Sequence, residues 1–343
     1  MFDIITFGSA TRDIILKPKQ LTQLKYEKQQ ENNQICFPFG SKIDIQDIYF
    51  TSGGGATNTA ATFALQGYNV AFCGAIGQDL SGQELVNELK SFKINTSLVV
   101  KKQEKATNHS IVILGDGTDR TILAYRGAAE LLDEKDIPFK KLKTKWLYLA
   151  PLSGLLCDKF ESILQFAEEH NIQVAVNPGM AQLSLPNFSE IAKKINVLIL
   201  NQEEASFLTK TGAPKDLGAR PSTNIENVSA LVPWQREIFG KITNMCHGIV
   251  IMTMGGDGVV VSDGKKIYSA KPHVDRIIVD TTGAGDAFGS GFIAEFIKSG
   301  DIESSIQLGM ANSVSCLSKI GAKNGLLKKG DSFNSVSVEK ISI

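Results

Sequence analysis

The sequence lacks the features that define several broad classes of protein. No apolar run approaches the roughly 20 residues that a membrane-spanning helix needs. Lysine and arginine form no basic block and the formal net charge is zero, so we expect neither a nucleic-acid partner nor a membrane partner. The five cysteines lie far apart without a Cys-x-x-Cys pair, which argues against a zinc site or a disulfide framework and favours a reducing cytosol.

The N-terminal segment lacks a basic region and a small-residue cleavage site. Residues 4–7 are therefore predicted to form a first strand rather than part of a signal peptide, and we expect a cytoplasmic protein. The chain has 343 residues, of which 43% are apolar. This is enough for a substantial core in one large α/β domain or in two smaller ones.

The most informative stretch is residues 280–286, which read Asp-Thr-Thr-Gly-Ala-Gly-Asp. An apolar, β-branched run precedes it at 277–279, and apolar residues recur at helical spacing from 288 to 297. The pattern therefore predicts a strand, a tight turn of small residues and a helix.

This turn has the composition of an anion site. Gly283, Ala284 and Gly285 carry little or no side chain, so their amide N–H groups are open to a ligand. They lie at a predicted helix N-terminus, where unpaired N–H groups and the helix dipole favour an anion. Asp286 follows in the first helical turn. It either compensates the dipole or accepts a proton from a hydroxyl group that attacks a phosphate.

A second glycine-rich turn lies at residues 53–55, ahead of a predicted helix at 56–66. Three consecutive glycines let backbone amides approach a ligand, although flexible loops have the same composition. The turn is not a Walker A loop, because no Gly-Lys-Ser or Gly-Lys-Thr follows. It also lacks the full Gly-x-Gly-x-x-Gly fingerprint, which disfavours a Rossmann dehydrogenase.

From Pro138 onward, predicted strands and helices alternate. This alternation is typical of right-handed β-α-β units, and it predicts a mainly parallel sheet with helices on both faces. Ligands bind such sheets at the carboxyl ends of the strands. Asn201 and Glu204 lie at one such end, and their spacing places both side chains on one helix face. Locally, an asparagine N-cap followed by first-turn acids is the simpler explanation of this pair.

These segments together resemble the PfkB/ribokinase family of carbohydrate and nucleoside kinases. Residues 280–286 match the family's C-terminal signature at every position, and Asn58 with the glycines before it matches the N-terminal signature. The Asn201/Glu204 spacing and the Thr-Met-Gly-Gly-Asp-Gly turn at 253–258 follow in family order. The resemblance therefore covers nearly the whole chain.

The resemblance implies a ribokinase-like three-layer α/β/α fold with a mainly parallel central sheet and a small β-sheet lid. Residues 1–343 would form a single kinase domain, with a discontinuous lid drawn from about 11–50 and 97–126. The implied activity is ATP-dependent transfer of the γ-phosphate to a hydroxyl group of a sugar. Asp286 would be the general base and the Gly-Ala-Gly turn before it would be the anion hole.

Two alternatives remain open. A nucleoside (adenosine-like) kinase of the same fold would use the same machinery, and Phe37, Phe39 and Tyr49 would then stack on a base. In a sugar kinase these aromatic residues would pack the lid. The other alternative, a non-catalytic sugar-binding regulator, is disfavoured by the intact Asp286 and by the Asn201/Glu204 pair.

The resemblance also assigns residues to ligands. The residues assigned to the acceptor substrate are Asp13, Gly54, Gly55, Asn58 and Arg126. Those assigned to the nucleotide are Asn201, Thr253, Gly255, Gly258 and Asn312. Those assigned to metal ions are Glu204 for Mg²⁺ through water, and Asp280 with Thr282 for K⁺. An indirect contact suits Mg²⁺, which usually keeps several of its waters.

Some of these residues have a structural alternative on the sequence alone. Asp13 would otherwise cap a turn, Arg126 would cap a helix, and Asn312 would pack in the core. The family's lid sheets often pair between subunits, so a homodimer through the lid is also expected. Residues 212–233 are predicted to form a long surface loop, and the polar tail after residue 328 is predicted to fray.

Overall fold

The computed structural model describes residues 1–19, 22–24, 34–115, 120–211, 233–274 and 277–342. The surface loop predicted at 212–233 lies outside these ranges except for its last residue. In chain order the strands are β1 (Phe2–Phe7), β2 (Thr11–Pro18), β3 (Thr22–Leu24), β4 (Gln34–Cys36), β5 (Ile45–Gly53), β6 (Val70–Gly77), β7 (Asn95–Lys102), β8 (Asn108–Leu114), β9 (Arg120–Tyr125), β10 (Thr144–Leu149), β11 (Gln173–Val176), β12 (Val197–Asn201), β13 (Ile249–Thr253), β14 (Val259–Ser262), β15 (Lys266–Ala270) and β16 (Val338–Ser342). The α-helices are α1 (Gly55–Leu65), α2 (Leu80–Ser91), α3 (Leu155–Asp158), α4 (Phe160–Glu169), α5 (Met180–Leu183), α6 (Phe188–Ala192), α7 (Gln202–Thr209), α8 (Pro233–Met245), α9 (Ala284–Ser299) and α10 (Ile302–Leu317).

A large sheet forms the middle of the molecule, with the strand order β16-β15-β14-β13-β12-β11-β10-β1-β6-β7. Every pairing from β13 across to β7 is parallel, and β14 to β16 extend the sheet with antiparallel pairings. β6 is buried along its whole length, as a parallel strand covered on both faces must be. The predicted mainly parallel sheet is therefore confirmed.

Helices cover both faces of this sheet, because successive strand residues point to opposite sides. On β1, Ile5 and Phe7 belong to one apolar core and Ile4 belongs to the other. The first core is completed by buried residues of α4, α6 and α8, and the second by those of α1, α2, α9 and α10. The three-layer α/β/α prediction is therefore confirmed.

A smaller sheet, with the order β5-β2-β8-β9, stands apart from the large one. β2 and β8 are parallel, and the outer pairs are antiparallel. β2 follows β1 directly, and β5 leads through Gly53 and Gly54 into α1. The small sheet is therefore attached at the carboxyl ends of the central strands. β7 falls within the range predicted for the lid, but it pairs with β6 as an edge strand of the large sheet.

The structure corrects two local predictions. Residues 277–279 do not form a strand, and their apolar side chains are exposed. The backbone N–H of Val279 donates instead to the carbonyl of Leu317 at the end of α10, so no sheet ladder forms there. The tail predicted to fray contains β16, which pairs with β15 over five residues.

Candidate functional site

Two long helices begin side by side at the carboxyl ends of the central strands. β1 lies between β6 and β10, so the order of strands reverses there and opens a crevice, the usual binding position in such sheets. α1 begins at Gly55, and a Cβ built on this glycine would lie 3.0 Å from the Ala150 side chain and 3.4 Å from Oδ1 of Asp286. Only glycine leaves this gap between the two helix N-termini open.

A hydrogen bond joins these helices within the crevice. Nδ2 of Asn58 on α1 donates to Oδ2 of Asp286 on α9 at 2.8 Å. Oδ1 of Asn58 is buried and has no partner among the described residues, so one hydrogen-bond acceptor in this part of the crevice is unsatisfied. The structure thus brings together two predicted site residues that are 228 positions apart in the chain.

The carboxyl group of Asp286 lies in an environment that disfavours its charge. Burial raises its pKa above the ordinary value, and this effect is opposed by the Asn58 hydrogen bond and by the positive charge of Lys323. A raised pKa is a frequent property of a carboxylate that accepts a proton in catalysis, because it increases the basicity of the group.

Asp13 provides the third polar group of the crevice. It lies on β2 with only 7% of its surface exposed, and its Oδ1 accepts a 2.5 Å hydrogen bond from Ser110 on β8. A Cβ on Gly53 would collide with its Oδ2. Burial raises the pKa of Asp13, while the bond from Ser110 and the charge of Lys323 lower it. Asp13 is a strand residue facing the glycine turn, so the turn-cap alternative does not apply.

The predicted anion turn has the required open backbone. Gly283 is the N-cap of α9 with φ +79°, and no side chain caps the helix, so its first N–H groups lack a side-chain acceptor. The N–H of Ala284 makes only a long bond of 3.5 Å to the carbonyl of Thr281. A Cβ on Gly283 would collide with Ala322. By contrast, a Cβ on Gly285 would meet nothing within 4 Å and would project into open space. Gly283 is therefore needed by the fold, whereas Gly285 leaves room beside the amides.

The Asp280 carboxylate fixes this turn through backbone hydrogen bonds. Its Oδ1 accepts from the N–H of Thr282 at 2.9 Å, and its Oδ2 accepts from the N–H of Gly321 at 2.9 Å. Arg120 at the start of β9 lies 3.6 Å from Oδ1 and also bonds Thr281. Asp280 therefore has a structural role: it caps the turn and pairs with Arg120.

The donor set fits a potassium ion poorly. Thr282 Oγ1 is buried without a partner among the described residues, which is what an ion ligand would show. The Asp280 carboxylate, however, already receives two N–H bonds and faces a guanidinium group. A second cation beside Arg120 would be repelled, so we derive no step that involves K⁺.

Asn201 and Glu204 form a capping box at the carboxyl end of β12. Oδ1 of Asn201 accepts from the N–H of Glu204, and Oε2 of Glu204 accepts from the N–H of Asn201, both at 2.8 Å. Burial raises the pKa of Glu204, and the negative charges of Glu203 and Asp286 raise it further. The other carboxylate oxygen of Glu204 does not take part in the capping box. It could therefore contact Mg²⁺ through water.

The neighbouring turn carries the other residues assigned to the nucleotide. Thr253 ends β13 and pairs with Asn201 in the sheet register. Gly255 has φ +58° and open space at its Cβ position. Gly258 has φ +101°, and a Cβ there would collide with the carbonyl of Ala270. Gly255 thus leaves room for a ligand, whereas the β-hairpin by itself requires Gly258.

Two assigned residues make no contact with the crevice side chains described above. Asn312 has no exposed surface; its amide donates to the Ala287 carbonyl at 2.8 Å and accepts from the Leu327 N–H at 2.9 Å. This supports the alternative that Asn312 packs in the core. Arg126 follows β9 with an exposed side chain. The structure adds no support for a contact with the acceptor.

Sequence reasoning missed three polar residues of the site, namely Ser110, Arg120 and Lys323. Ser110 and Arg120 lie outside the glycine-rich and acidic motifs, whereas Lys323 lies within Gly-Ala-Lys-Asn-Gly at 321–325, whose glycines do not by themselves indicate a role for the lysine. The partners Asp13, Thr281 and Ser52 are 97, 161 and 271 positions away. The alternation along β8 was the one usable signal, because it places Ser110 opposite Asp13 once the two strands are paired.

The described residues lack both a cluster of metal-ligating side chains and a membrane-spanning helix. They contain no group of three or more histidine, cysteine, aspartate or glutamate side chains that could hold a metal ion. No helix among them is long and apolar enough to cross a membrane.

Comparison with known proteins places these observations in context. A model of the pfkB family of carbohydrate kinases matches residues 1–329. A sugar kinase of Archaeoglobus fulgidus is 26% identical over 273 residues, covering 77% of this chain and 98% of its own. An adenosine kinase of Schizosaccharomyces pombe is 24% identical over 298 residues, covering 82% and 84%. A ribokinase structure from Arabidopsis thaliana, complexed with ribose and ATP, has 20% identity, covers 96% of each chain and superposes with a TM-score of 0.75.

Proposed function

The chain belongs to the pfkB family of carbohydrate kinases, and on that premise we propose that it moves the γ-phosphate of ATP to a hydroxyl group of a sugar. Asp286 is the general base in this proposal, and the amides of Gly283, Ala284 and Gly285 form the anion hole. Asp13 and Asn58, with the turn at Gly54 and Gly55, bind the acceptor.

The observation that carries the proposal is the hydrogen bond between Asn58 and Asp286. It places a carboxylate of raised basicity beside an unpartnered carbonyl oxygen, at the point where two uncapped helices begin. The helix N-termini favour the negative charge of a phosphoryl group, and the polar side chains favour a hydroxyl group. A phosphate and an alcohol would therefore meet next to a base.

The chemistry of the transfer follows from this placement. The acceptor oxygen forms a bond to the γ-phosphorus while the bond from that phosphorus to the β,γ-bridging oxygen breaks, which releases ADP. The hydroxyl proton passes to Asp286. The amides at the start of α9 stabilise the negative charge on the transferring group without having to reorganise.

Magnesium enters the proposal only as a charge partner of the nucleotide. When bound, it neutralises charge on the phosphates, and Glu204 would hold it through water. The capping box fixes the orientation of that carboxylate, since one of its oxygens is bonded to the N–H of Asn201. Asn201, Thr253 and Gly255 would line the nucleotide side of the crevice.

A nucleoside acceptor is the second candidate, and one observation favours it. Tyr49 on β5 lies two residues before Thr51, which pairs with Asp13 across the small sheet, so Tyr49 and Asp13 share a face. Its ring is 36% exposed and could stack on a nucleobase. If the acceptor is a sugar, the ring of Tyr49 would instead pack against the sugar or against the rest of the lid.

The apolar residues on the other face of the small sheet support the predicted homodimer. Ile48, Phe50 and Leu123 are each at least half exposed. Such a surface commonly marks a protein contact. Light scattering during gel filtration would test it, and a monomer at micromolar concentration would contradict it.

A panel of acceptors tests the proposed function. The purified chain is incubated with Mg²⁺, ATP and pentoses, hexoses, sugar phosphates or nucleosides, and ADP is measured by chromatography. Phosphorus NMR of the product then identifies the phosphorylated hydroxyl group. A sugar that yields one monophosphate supports the proposal, and preference for a nucleoside selects the second candidate. ADP formation that no acceptor stimulates would contradict both.

A further inference from the structure

Lys323 is a buried cation that the proposed mechanism has not used. It lies in the loop that follows α10, with 6% of its surface exposed. Its Nζ donates a 2.8 Å hydrogen bond to Oγ of Ser52, and it makes no other hydrogen bond within the described chain. An ammonium group with so little water and one neutral partner is costly unless nearby negative charge compensates it.

The segment that carries this lysine touches both turns of the site. Gly321 donates to Oδ2 of Asp280 at 2.9 Å, and Ala322 packs against Gly283 of the anion turn. Lys323 then reaches Ser52, the residue just before the acceptor turn. Three consecutive residues therefore connect the anion turn with the acceptor turn.

The charge of the ammonium group interacts with carboxylates on three separate elements, and one of them, Asp13, packs against Gly53, the residue that follows Ser52. The three carboxylates are Glu88 on α2, Asp13 on β2 and Asp286 on α9. Burial lowers the pKa of Lys323, and these three negative charges raise it. In return, the lysine lowers the pKa values of Asp13 and Asp286, which burial raises. Other titratable groups that interact with the charge of Asp286 are Tyr148 on β10, Glu204 on α7 and Cys316 on α10.

We propose that Lys323 is a positioning residue for the kinase reaction: its buried ammonium group, fixed by Ser52, is the counter-charge shared by the acceptor-binding Asp13 and the base Asp286. The proposal rests on the role of Asp286 given above. Lys323 does not need to touch the substrate for this, because it acts on the charge of the base. Without it, two desolvated carboxylates would remain in one crevice with no buried cation shared between them among the described residues.

The pH dependence of turnover tests this role. Lys323→Met keeps the length of the side chain and removes the charge, so the base should take up its proton at a higher pH. We expect the acid limb of the kcat profile to move upward by about one pH unit, as is common when a nearby opposite charge is lost. Turnover on the acid side should then fall about tenfold, with a smaller change on the alkaline plateau and in KM.

Two further variants separate charge from packing. Lys323→Arg keeps the charge and should leave the acid limb near its wild-type position. Ser52→Ala removes the hydrogen bond and keeps the ammonium group, so it should shift the limb less than Lys323→Met. A folded Lys323→Met variant that loses activity equally at every pH, with an unmoved limb, would overturn the proposal and leave a packing role.

A titration without turnover gives an independent test, which holds even if Lys323→Met fails to fold. The ¹³Cε signal of Lys323 in lysine-labelled protein is assigned by its loss in Lys323→Arg, and is followed with pH in the wild type and in Asp286→Asn. Coupled charges affect each other reciprocally, so the lysine pKa should fall by about one unit in Asp286→Asn. Equal lysine pKa values would overturn the proposal. Normal turnover by Asp286→Asn would instead refute the base assignment, so the two failures are distinguishable.

Discussion

Replacing Asp286 with asparagine is the most direct test of the catalytic proposal. The two side chains have nearly the same shape, so the substitution removes a charge and a proton acceptor without changing the volume of the crevice. The hydrogen bond from Asn58 can persist, because the new amide can turn its oxygen towards Nδ2 of Asn58. We therefore expect a folded protein that still binds ATP.

The size of the effect follows from the role of the lost group. A positioned general base contributes a factor of about 10² to 10⁴ in rate, which corresponds to roughly 2.7 to 5.4 kcal/mol in the barrier at about 1.36 kcal/mol per factor of ten. The anion hole and the nucleotide side of the crevice are unchanged. The loss should therefore appear in kcat, with little change in the KM for ATP.

The same substitution should stabilise the fold at neutral pH. Burial raises the pKa of Asp286 in the folded protein above its unfolded value. The folded state therefore binds the proton more tightly, and this group's contribution to stability is lost as pH rises from the unfolded pKa through the folded pKa. Asparagine has no such loss. The melting temperature of Asp286→Asn should exceed that of the wild type at pH 7 to 8, and the difference should shrink in acid.

The assay compares purified wild type, Asp286→Asn and Glu169→Gln. Glu169 is an exposed carboxylate at the end of α4, just before the amino end of β11, whereas the crevice lies at the carboxyl ends of the strands, so its variant should behave like the wild type. ADP release is measured at saturating ATP and acceptor, and the melting temperature is measured from pH 4 to pH 8. Turnover by Asp286→Asn within threefold of the wild type would refute the base assignment. A lower melting temperature at neutral pH would refute the electrostatic reasoning.

Four further substitutions and one change of cation test the rest of the site. Gly285→Val should keep the wild-type melting temperature, because its Cβ meets open space. Its turnover should fall through the loss of about 2.7–4 kcal/mol of transition-state stabilisation, because the side chain displaces the phosphoryl group from an amide. Gly283→Ala should instead lower the melting temperature, because residue 283 has φ +79° and its Cβ would collide with Ala322. Glu204→Gln retains the capping box and its stability, but should require more Mg²⁺ for half-maximal turnover. Asp280→Asn leaves one buried N–H unpaired and should cost about 1–3 kcal/mol in a denaturant titration. The wild type should turn over equally in K⁺ and in tetramethylammonium at fixed ionic strength, as chromatographic ADP measurement will show.

Three of these predictions have a contrary outcome that would change an assignment. Normal turnover by folded Gly285→Val would mean that its amide does not hold the phosphoryl group. If Glu204→Gln needs no more Mg²⁺ than the wild type, Asn201 and Glu204 have only the structural role of a capping box. A K⁺-dependent rise in turnover that Asp280→Asn abolishes would restore Asp280 as an ion ligand, against the geometry described here.

The sequence predicted those parts of the fold that depend on local patterns. The glycines of both turns predict uncapped helix N-termini, and α1 and α9 begin there. The apolar runs of the central strands predict a sheet buried on both faces. Residues 277–279 have the same β-branched composition, but they pair with no strand of the described chain, and the N–H of Val279 donates to the carbonyl of Leu317 at the end of α10. Local composition does not reveal whether a neighbouring strand is available.

Other features were beyond the reach of local patterns for different reasons. β16 contains only two apolar residues, Val338 and Ile341, so its polar composition suggested a frayed tail. Arg120 had no signal, since an isolated basic residue is usually solvated, and the glycines on either side of Lys323 do not reveal its partner. Their partners become neighbours only when the large sheet, the small sheet and the last loop have packed together.

The two polar links that close the crevice show how the fold accommodates an unfavourable charge. Asn58–Asp286 and Lys323–Ser52 join residues 228 and 271 positions apart, so each forms only when the ends of the chain have come together. Burial alone would keep Asp286 protonated to a higher pH, and a protonated carboxyl group cannot accept the hydroxyl proton. The hydrogen bond from α1 and the charge from the loop after α10 both oppose that effect. Asp286 therefore stays ionised at working pH, despite its burial, because of two contacts that only the completed fold provides. Loss of either link should lower turnover by favouring the protonated form of Asp286, and should affect the packing of the core less.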